Sequence, residues 1–381
     1  MNTTKSLSYY LSRIEPQRIT AARELRGLTR KALADIIGKS PAAISLFESG
    51  KSGLDPATFA KLTLALSMPP AFFTSDNPTS PVDFSTCHFR ANRSLSQSDR
   101  RKAFQFALCY ISLFSALESF GVSFPNVQLD PLPWNGYNGH YIEKAAVDVR
   151  KSWGLGNGPI SNVAGLLESK GIFVLFLPDA YEKMDAFSMW VAERPCIVIS
   201  KGKEPSRIQF DYAHELAHLV FHMDESAGDP ESERAANHFA GAFLAPYETF
   251  STECPTRWNY HAFLNIKSRW RMSIAASLYR AKQIGKISEN SYKSGMIALR
   301  DNRRHEVGEF SPSMPSMIKS AIDLIKEDVS LDALADRMCI TTDFLKEILL
   351  CQGVSESTLI QMSRKTASAL PPLVFRNLEP A

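Results

Sequence analysis

The sequence has little that would direct the chain into a membrane or an oxidising compartment. Its apolar run at residues 103–114 contains Gln105 and Ser112 and is shorter than the roughly 20 residues that a membrane-spanning helix needs. The N-terminal residues MNTTKSLSYY lack the apolar core of a signal peptide. The six cysteines form no Cys-x-x-Cys pair. We therefore expect a cytoplasmic protein with reduced cysteines.

The net charge is also low, at +3 over 381 residues, but it is unevenly distributed. Residues 1–105 hold 15 Lys and Arg against 8 Asp and Glu, a surplus of +7, which leaves about −4 for the remainder. A basic N-terminal region favours a nucleic-acid partner. Dimerisation or protein docking by a small helical domain remains an alternative. With 44% hydrophobic and 22% charged residues and no internal repeat, the chain is expected to fold into several globular domains.

One short segment, His214-Glu215-Leu216-Ala217-His218, has the spacing of a metal site. A helix turns once in about 3.6 residues, so residues four apart share a face and the two histidines can bind one ion. Glu215 lies on the adjoining strip of the helix, where it can accept a proton from water. An ordinary amphipathic helix with polar flanking histidines is the alternative interpretation.

A catalytic zinc ion takes three protein ligands, so a third donor is needed. Residues 231–246 predict a second helix that ends at a proline, and Glu233 lies in its first turn. We predict Glu233 as the third ligand, with Glu231 as the alternative. Asn237, one turn after Glu233, is placed to hydrogen-bond a ligand histidine from behind.

Two further histidines have less certain roles. His222 extends the four-residue spacing of the histidines, but His214 and His222 would be about 12 Å apart along a helix, too far for one tetrahedral ion. We interpret His222 as a supporting or surface residue. His238 either stabilises an oxyanion or is solvated, and the sequence leaves both roles open.

The segments AHELAHLVFH and ERAANHFAGAFLAP together resemble the ImmA/IrrE family of zinc metallopeptidases, and the resemblance extends upstream over residues 146–154, 166–174 and 185–190. It implies that His214, His218 and Glu233 bind Zn²⁺ and that Glu215 is the general base. It also implies cleavage of a regulatory protein, such as a repressor, in a stress or mobile-element response.

The apolar periodicity independently predicts an α+β domain here. Residues 171–177, 187–191 and 196–199 are short β-rich runs, and a helix follows over residues 208–222. An exposed edge among these strands could bind an extended peptide by strand addition. We interpret Phe187 and Trp190 as core residues rather than substrate contacts.

Residues 19–73 predict several short amphipathic helices with helix-turn-helix spacing. Thr29 can cap one helix, Gly38 supplies the turn, and Ser40-Pro41 begins the next helix. The segments ARELRGLT, ALADIIGKS and AAISLFESGKS resemble the XRE, or lambda-repressor-like, DNA-binding domain. The predicted DNA contacts are Arg30, Lys39, Ser40, Ala42, Ala43, Ser45 and Lys51.

The resemblance makes residues 40–48 the recognition helix. Pro41, Ala42 and Ala43 occupy positions where many members of that family carry long polar side chains, so few bidentate base contacts are possible. Contact with thymine methyl groups is the main direct readout that remains. Arg30 stands where the family often has glutamine, and it is predicted to contact a phosphate.

These observations predict a multi-domain protein. Its regions are an all-α helix-turn-helix domain at 1–75, a linker and helix at 76–130, an α+β zincin-like metallopeptidase domain at 131–255 and an all-α C-terminal region at 256–381. Within the last region, Asp332, Asp336, Asp343 and Glu347 would repel phosphates, so packing or partner contact is expected there.

Two classes of function remain open from the sequence. The first is a DNA-binding regulator with a zinc-dependent endopeptidase that cleaves a protein partner. The second is a non-catalytic transcription regulator or antitoxin that uses the zincin fold for sensing or docking. A homodimer is compatible with a helix-turn-helix protein, but no feature of the sequence sets its symmetry.

Overall fold

The computed structural model describes residues 6–74, 88–89, 96–178, 186–191, 193–221, 229–301, 310–365 and 376–377. Within them the α-helices are, in chain order, α1 Leu7–Leu11, α2 Pro16–Leu25, α3 Arg30–Ile37, α4 Pro41–Glu48, α5 Pro56–Leu66, α6 Gln97–Ser119, α7 Gly139–Ser152, α8 Val163–Ser169, α9 Pro205–Phe221, α10 Pro230–Leu244, α11 Tyr247–Glu253, α12 Tyr260–Trp270, α13 Ile274–Gln283, α14 Glu289–Asp301, α15 Met317–Ile325, α16 Leu331–Arg337, α17 Thr342–Cys351 and α18 Glu356–Ser363. The strands are β1 His88–Phe89, β2 Val122–Ser123, β3 Phe173–Leu177, β4 Ala186–Val191, β5 Arg194–Ser200 and β6 Arg376–Asn377, and a 3-10 helix spans Pro70–Phe73.

The described residues divide into two units that interleave along the chain. The first unit comes from Met1–Ser85, Ser94–Phe124 and Ser316–Glu379. The second comes from Thr86–Arg93, Pro125–Pro315 and Pro380–Ala381. The four regions predicted from the sequence divide the chain differently, because the region 76–130 and the region 256–381 each contribute residues to both units.

The N-terminal helices have the capping residues that their sequence predicts. The Thr29 hydroxyl accepts a hydrogen bond from the Ala32 amide at 3.1 Å, and Gly38 ends α3 in the left-handed conformation, with φ of 70°. The Ser40 hydroxyl then accepts from the Ala43 amide, and Pro41 is the first residue of α4. The predicted all-α helix-turn-helix fold of this part is confirmed.

The first unit also contains α6 and the last four helices. The Glu24 carboxylate accepts hydrogen bonds from Arg101 and Gln105, which joins α2 to α6. The guanidinium of Arg26 lies 5.1 Å from the centre of the Phe344 ring in α17. The predicted helical fold of the C-terminal part is confirmed, and serine or threonine caps begin α16, α17 and α18.

A four-stranded sheet lies at the centre of the second unit, in the order β1-β4-β5-β3. Strand β3 is parallel to β5, whereas β4 is antiparallel to both β5 and β1. The three longer strands are the predicted ones, and nearly all of their residues are buried, because helices α8 and α9 pack on the sheet. This mixed sheet with helices confirms the predicted α+β class. The short β1 comes from a segment that the sequence placed in the linker.

Helix α9 lies against β4 and β5, and α10 packs on both α9 and α7. Residues from Ser206 to the end of α9 are almost all buried, which explains why this helix is rich in apolar residues on several faces. Helix α9 ends at Phe221, and α10 begins at Pro230 with Asp229 capping the Ser232 amide at 2.8 Å. No helix in the described part of the chain is long and apolar enough to cross a membrane.

Candidate metal centre

Helix α9 brings His214 and His218 together inside the second unit. Because the two residues are one helical turn apart, their rings meet on one face, and their Nε2 atoms lie 3.2 Å apart. Both side chains are buried. Two imidazole nitrogens that face each other at this distance can share one metal ion.

Glu233 from α10 supplies the third donor of the cluster. Its Oε2 atom lies 3.5 Å from His214 Nε2, and its Oε1 atom lies 3.7 Å from His218 Nε2. Donor atoms of the three residues all lie within 4.8 Å of one another. A tetrahedral zinc ion holds its nitrogen and oxygen ligands about 3.3 Å apart. The three donors therefore fit a zinc ion in both chemistry and spacing.

Asn237, one turn after Glu233, lies behind His214. Its Oδ1 atom is 3.1 Å from His214 Nδ1. Since an amide oxygen only accepts hydrogen bonds, His214 must carry a proton on Nδ1, which leaves the lone pair of Nε2 directed at the cluster. This is the tautomer that a metal ligand requires.

Glu215 follows His214 on α9 and is fully buried. It is not part of the metal-ligand cluster found among the described residues. A carboxylate can act as a general base, which is the role that the sequence predicts for Glu215.

Glu231, the alternative third ligand, and His238, whose role the sequence leaves open, make contacts outside the cluster. The Glu231 carboxylate accepts a hydrogen bond from the Tyr137 amide at 2.5 Å. His238 is buried between the Tyr137 hydroxyl, 3.0 Å from its Nδ1, and a Glu143 oxygen, 3.1 Å from its Nε2. His222 lies outside the described residues.

Two aromatic residues of β4, Phe187 and Trp190, are predicted to be core residues. Phe187 is fully buried, as a core residue is. Trp190 is half-buried, and its indole N–H donates to the carbonyl of Leu219 at 3.4 Å. Strand β4 therefore contacts α9 one residue beyond His218.

A second polar cluster beside α10 has no local signature in the sequence. Arg280 of α13 donates to both oxygens of Glu143 and also to the carbonyl of Ala245 at 3.0 Å. Burial opposes ionisation of Glu143, but hydrogen bonds from Arg280 and His238 outweigh it and lower the pKa of Glu143 to about 2. These residues are far apart in the sequence, so neither motif nor periodicity could indicate them.

The predicted recognition helix α4 presents a mixed surface. Ser40 and Ala42 are exposed, whereas Ala43 and Ser45 are partly buried. Lys39 and Lys51 are exposed at the two ends of the helix, and the Lys39 Nζ atom lies 3.8 Å from an Asp55 carboxylate oxygen.

Arg30, at the start of α3, forms an ion pair within the same unit. Its Nε atom donates to Glu48 at 2.6 Å, although about half of the Arg30 side chain is exposed. Glu48 is almost fully buried and also accepts from Arg23 at 2.5 Å. Arg30 therefore contributes to the fold of the helix-turn-helix as well as to its surface charge.

Two family models match the chain. Residues 19–73 match the model described as helix-turn-helix, and residues 167–282 match the peptidase model described as the IrrE N-terminal-like domain. The second match includes β3, β4 and β5, the three clustered donors and Arg280 of α13. No curated protein matched the sequence.

Proposed function

We propose that this chain, which joins a helix-turn-helix domain to an IrrE N-terminal-like domain, is a DNA-bound regulator that cleaves a partner protein with a zinc-dependent peptidase site. The proposed zinc ligands are His214, His218 and Glu233. The observation that carries the proposal is the spacing of these three donors, whose closest pairs lie 3.2, 3.5 and 3.7 Å apart. They come from two helices that pack directly on each other.

When bound at such a site, zinc polarises a peptide carbonyl and acidifies water. Glu215 is the proposed general base, which takes a proton from the attacking water and passes it to the leaving amine. Asn237 holds His214 in the tautomer that leaves Nε2 free to bind the metal.

The substrate is proposed to be an extended peptide that adds as a strand to the sheet. Strand β4 pairs with β1 at Phe187 and Ser188 and with β5 over Ala186–Val191. It also contacts the helix that carries both histidines, at Leu219. Strand addition holds a backbone without requiring a particular side chain at every position.

The helix-turn-helix domain is proposed to hold the peptidase at DNA. Lys39, Ser40, Ser45 and Lys51 would contact phosphates with Arg30, and Ala42 and Ala43 would face thymine methyl groups. Binding at this surface is expected to depend strongly on salt and weakly on sequence, because most of these contacts are to the backbone.

The test is to capture partners with the Glu215→Gln chain and then to add wild-type chain and Zn²⁺ to each captured protein. We expect wild type to cut at least one partner at a defined bond and the variant to leave it whole. A captured partner that stays intact with zinc-loaded wild type would instead support the regulator or antitoxin function. The zinc content of both proteins is measured in the same samples, so that loss of metal is not mistaken for loss of the base.

A further inference from the structure

The three proposed zinc ligands come from two helices, so their spacing depends on how α10 is held against α9. His214 and His218 belong to α9, whereas Glu233 and the supporting Asn237 belong to α10. A displacement of α10 by 1 Å would exceed the tolerance of about 0.2 Å on a zinc bond. Residues that fix α10 can therefore control the metal site without touching the metal.

Arg280 fixes the C-terminal end of α10. Its side chain is 1% exposed and donates to the carbonyl of Ala245, which caps the helix. The same guanidinium bonds both carboxylate oxygens of Glu143 in α7, at 2.9 and 2.5 Å. Gly241 lies beside this side chain, since a Cβ atom there would be 3.4 Å from Arg280 Cδ. One buried cation thus joins α7, α10 and α13.

His238, in the middle of α10, bonds both Glu143 and Tyr137. Its Nε2 atom is 3.1 Å from Glu143 Oε2, and its Nδ1 atom is 3.0 Å from the Tyr137 hydroxyl. The start of α7 approaches closely here, because a Cβ atom on Gly139 would be 3.1 Å from the His238 ring. His238 is thereby held on both sides.

The segment that contains Tyr137 contacts the start of α10 and the end of α9. The backbone amide of Tyr137 donates to Glu231 in the first turn of α10, and the Arg234 guanidinium lies 3.9 Å from the centre of the Tyr137 ring. Five residues earlier, the Leu132 amide donates to the carbonyl of Val220, two residues beyond His218. The segment from residue 132 to residue 137 therefore contacts both helices that carry the proposed zinc ligands.

We propose that Tyr137, Glu143 and Arg280 are positioning residues that hold α10 in register with α9 and thereby set the affinity and geometry of the zinc site. The proposal rests on the proposed zinc function of His214, His218 and Glu233. The three residues act through helix position, and none belongs to the metal-ligand cluster.

The test compares the full-length chain with Glu143→Gln and, as a matched control, Glu253→Gln. Glu253 also pairs with an arginine of the second unit, Arg269 at 2.6 Å, but lies on α11. Affinity for Zn²⁺ is measured by competition with a chromogenic chelator, and the visible spectrum of bound Co²⁺ reports the geometry of the ligands. Circular dichroism of the metal-free proteins shows whether each is folded.

We expect Glu143→Gln to weaken zinc binding at least tenfold and to change the Co²⁺ spectrum, whereas Glu253→Gln changes neither. If Glu143 only stabilised the fold, Glu143→Gln would lower the unfolding temperature without altering the Co²⁺ spectrum of the folded, metal-bound protein. If Glu143→Gln does not fold, Tyr137→Phe tests the proposal instead, because it removes only the hydroxyl that bonds His238. We expect this variant to bind Zn²⁺ about threefold more weakly than wild type.

The outcomes separate the two proposals. Wild type that binds no zinc contradicts the proposed function itself. Wild type that binds zinc, together with variants that match it in affinity and in the Co²⁺ spectrum, contradicts only the positioning role.

Discussion

The Nδ1 atom of His214 and the Oδ1 atom of Asn237 lie 3.1 Å apart, and this contact links the two helices of the metal centre. The amide must be the acceptor, since His214 Nδ1 can donate and the amide oxygen cannot. Asn237 therefore determines which imidazole nitrogen is left to bind a metal. The contact also explains why Asn237 is one turn after Glu233, for both side chains then face α9.

Removal of this acceptor is expected to weaken metal binding. Asn237→Ala leaves His214 free to change its tautomer and its ring orientation, so we expect zinc affinity to fall by about 10- to 100-fold. Asn237→Asp keeps an oxygen acceptor and should retain more of the affinity than Asn237→Ala does. Competition with a chromogenic chelator measures the zinc affinity of wild type, Asn237→Ala and Asn237→Asp.

The matched control is Asn290→Ala, on an exposed position of α14 in the same unit. It should bind zinc as wild type does. Equal zinc affinity in Asn237→Ala and Asn290→Ala would show that Asn237 does not support the metal site.

The histidines themselves give a second prediction. His218→Ala should reduce bound zinc from about one ion per chain to a trace, because two remaining protein ligands are too few for a stable site. Elemental analysis after dialysis measures the ratio. His261→Ala, an exposed histidine at the start of α12, is the control and should keep its zinc. Unchanged metal content in His218→Ala would exclude His218 as a ligand.

Local features of the fold could be predicted from the sequence because their causes are local. Thr29, Gly38 and Ser40-Pro41 mark the ends of α3 and α4, and each acts within a few residues of itself. The three longer strands were recognisable because β-rich apolar runs end at turn residues. The four-residue spacing of His214 and His218 sets their proximity for the same reason.

Other features depend on pairs of residues that are distant in the chain. The contact between Glu143 and Arg280 joins residues 137 positions apart, and nothing near either one indicates the other. Residues 254–288 contain no Asp or Glu, so the sequence around Arg280 offers no acidic partner. Only the packing of α7, α10 and α13 brings Glu143 to it. The first unit likewise collects three separated segments, which linear composition cannot reveal.

The helix-turn-helix surface gives a third prediction. Lys51→Ala should weaken DNA binding to a similar extent on different sequences and should reduce the slope of log K against log salt by about one, as loss of one phosphate contact does. Binding is measured by fluorescence anisotropy at several salt concentrations. Lys61→Ala on α5 makes the same charge change outside the predicted contacts and should leave the slope nearly unchanged. An equal slope of log K against log salt in the two variants would show that Lys51 does not contact a DNA phosphate.

Acid stability gives a fourth prediction. The pKa of Glu143 is lowered to about 2 from 4.5, so its ionised form stabilises the folded state. That contribution is fully present above about pH 4.5 and is lost as the pH falls towards 2, and it amounts to at most about 3 kcal/mol because part of the carboxylate is screened by solvent. We expect the free energy of unfolding to fall less steeply between pH 5 and pH 3 in Glu143→Gln than in wild type.

Urea unfolding of the metal-free proteins at both pH values measures this difference. Glu248→Gln, at an exposed position on α11, is the control and should follow wild type. Parallel pH profiles for wild type and Glu143→Gln would mean that Arg280 and His238 do not lower the pKa of Glu143 in the folded protein.

Glu215 gives the prediction that separates catalysis from binding. Glu215→Gln keeps the size of the side chain and removes its capacity to take a proton, so the metal site and the fold should persist. Hydrolysis of a captured partner should fall at least about 100-fold, which is the lower range of general-base contributions. Glu248→Gln again provides the control, with unchanged hydrolysis.

Zinc content and cleavage rate are measured on the same preparations, since a variant that has lost its metal would be inactive for another reason. Hydrolysis at the wild-type rate by zinc-loaded Glu215→Gln would exclude Glu215 as the base, whereas an intact partner with every zinc-loaded protein would favour a regulator that binds its partner without cutting it.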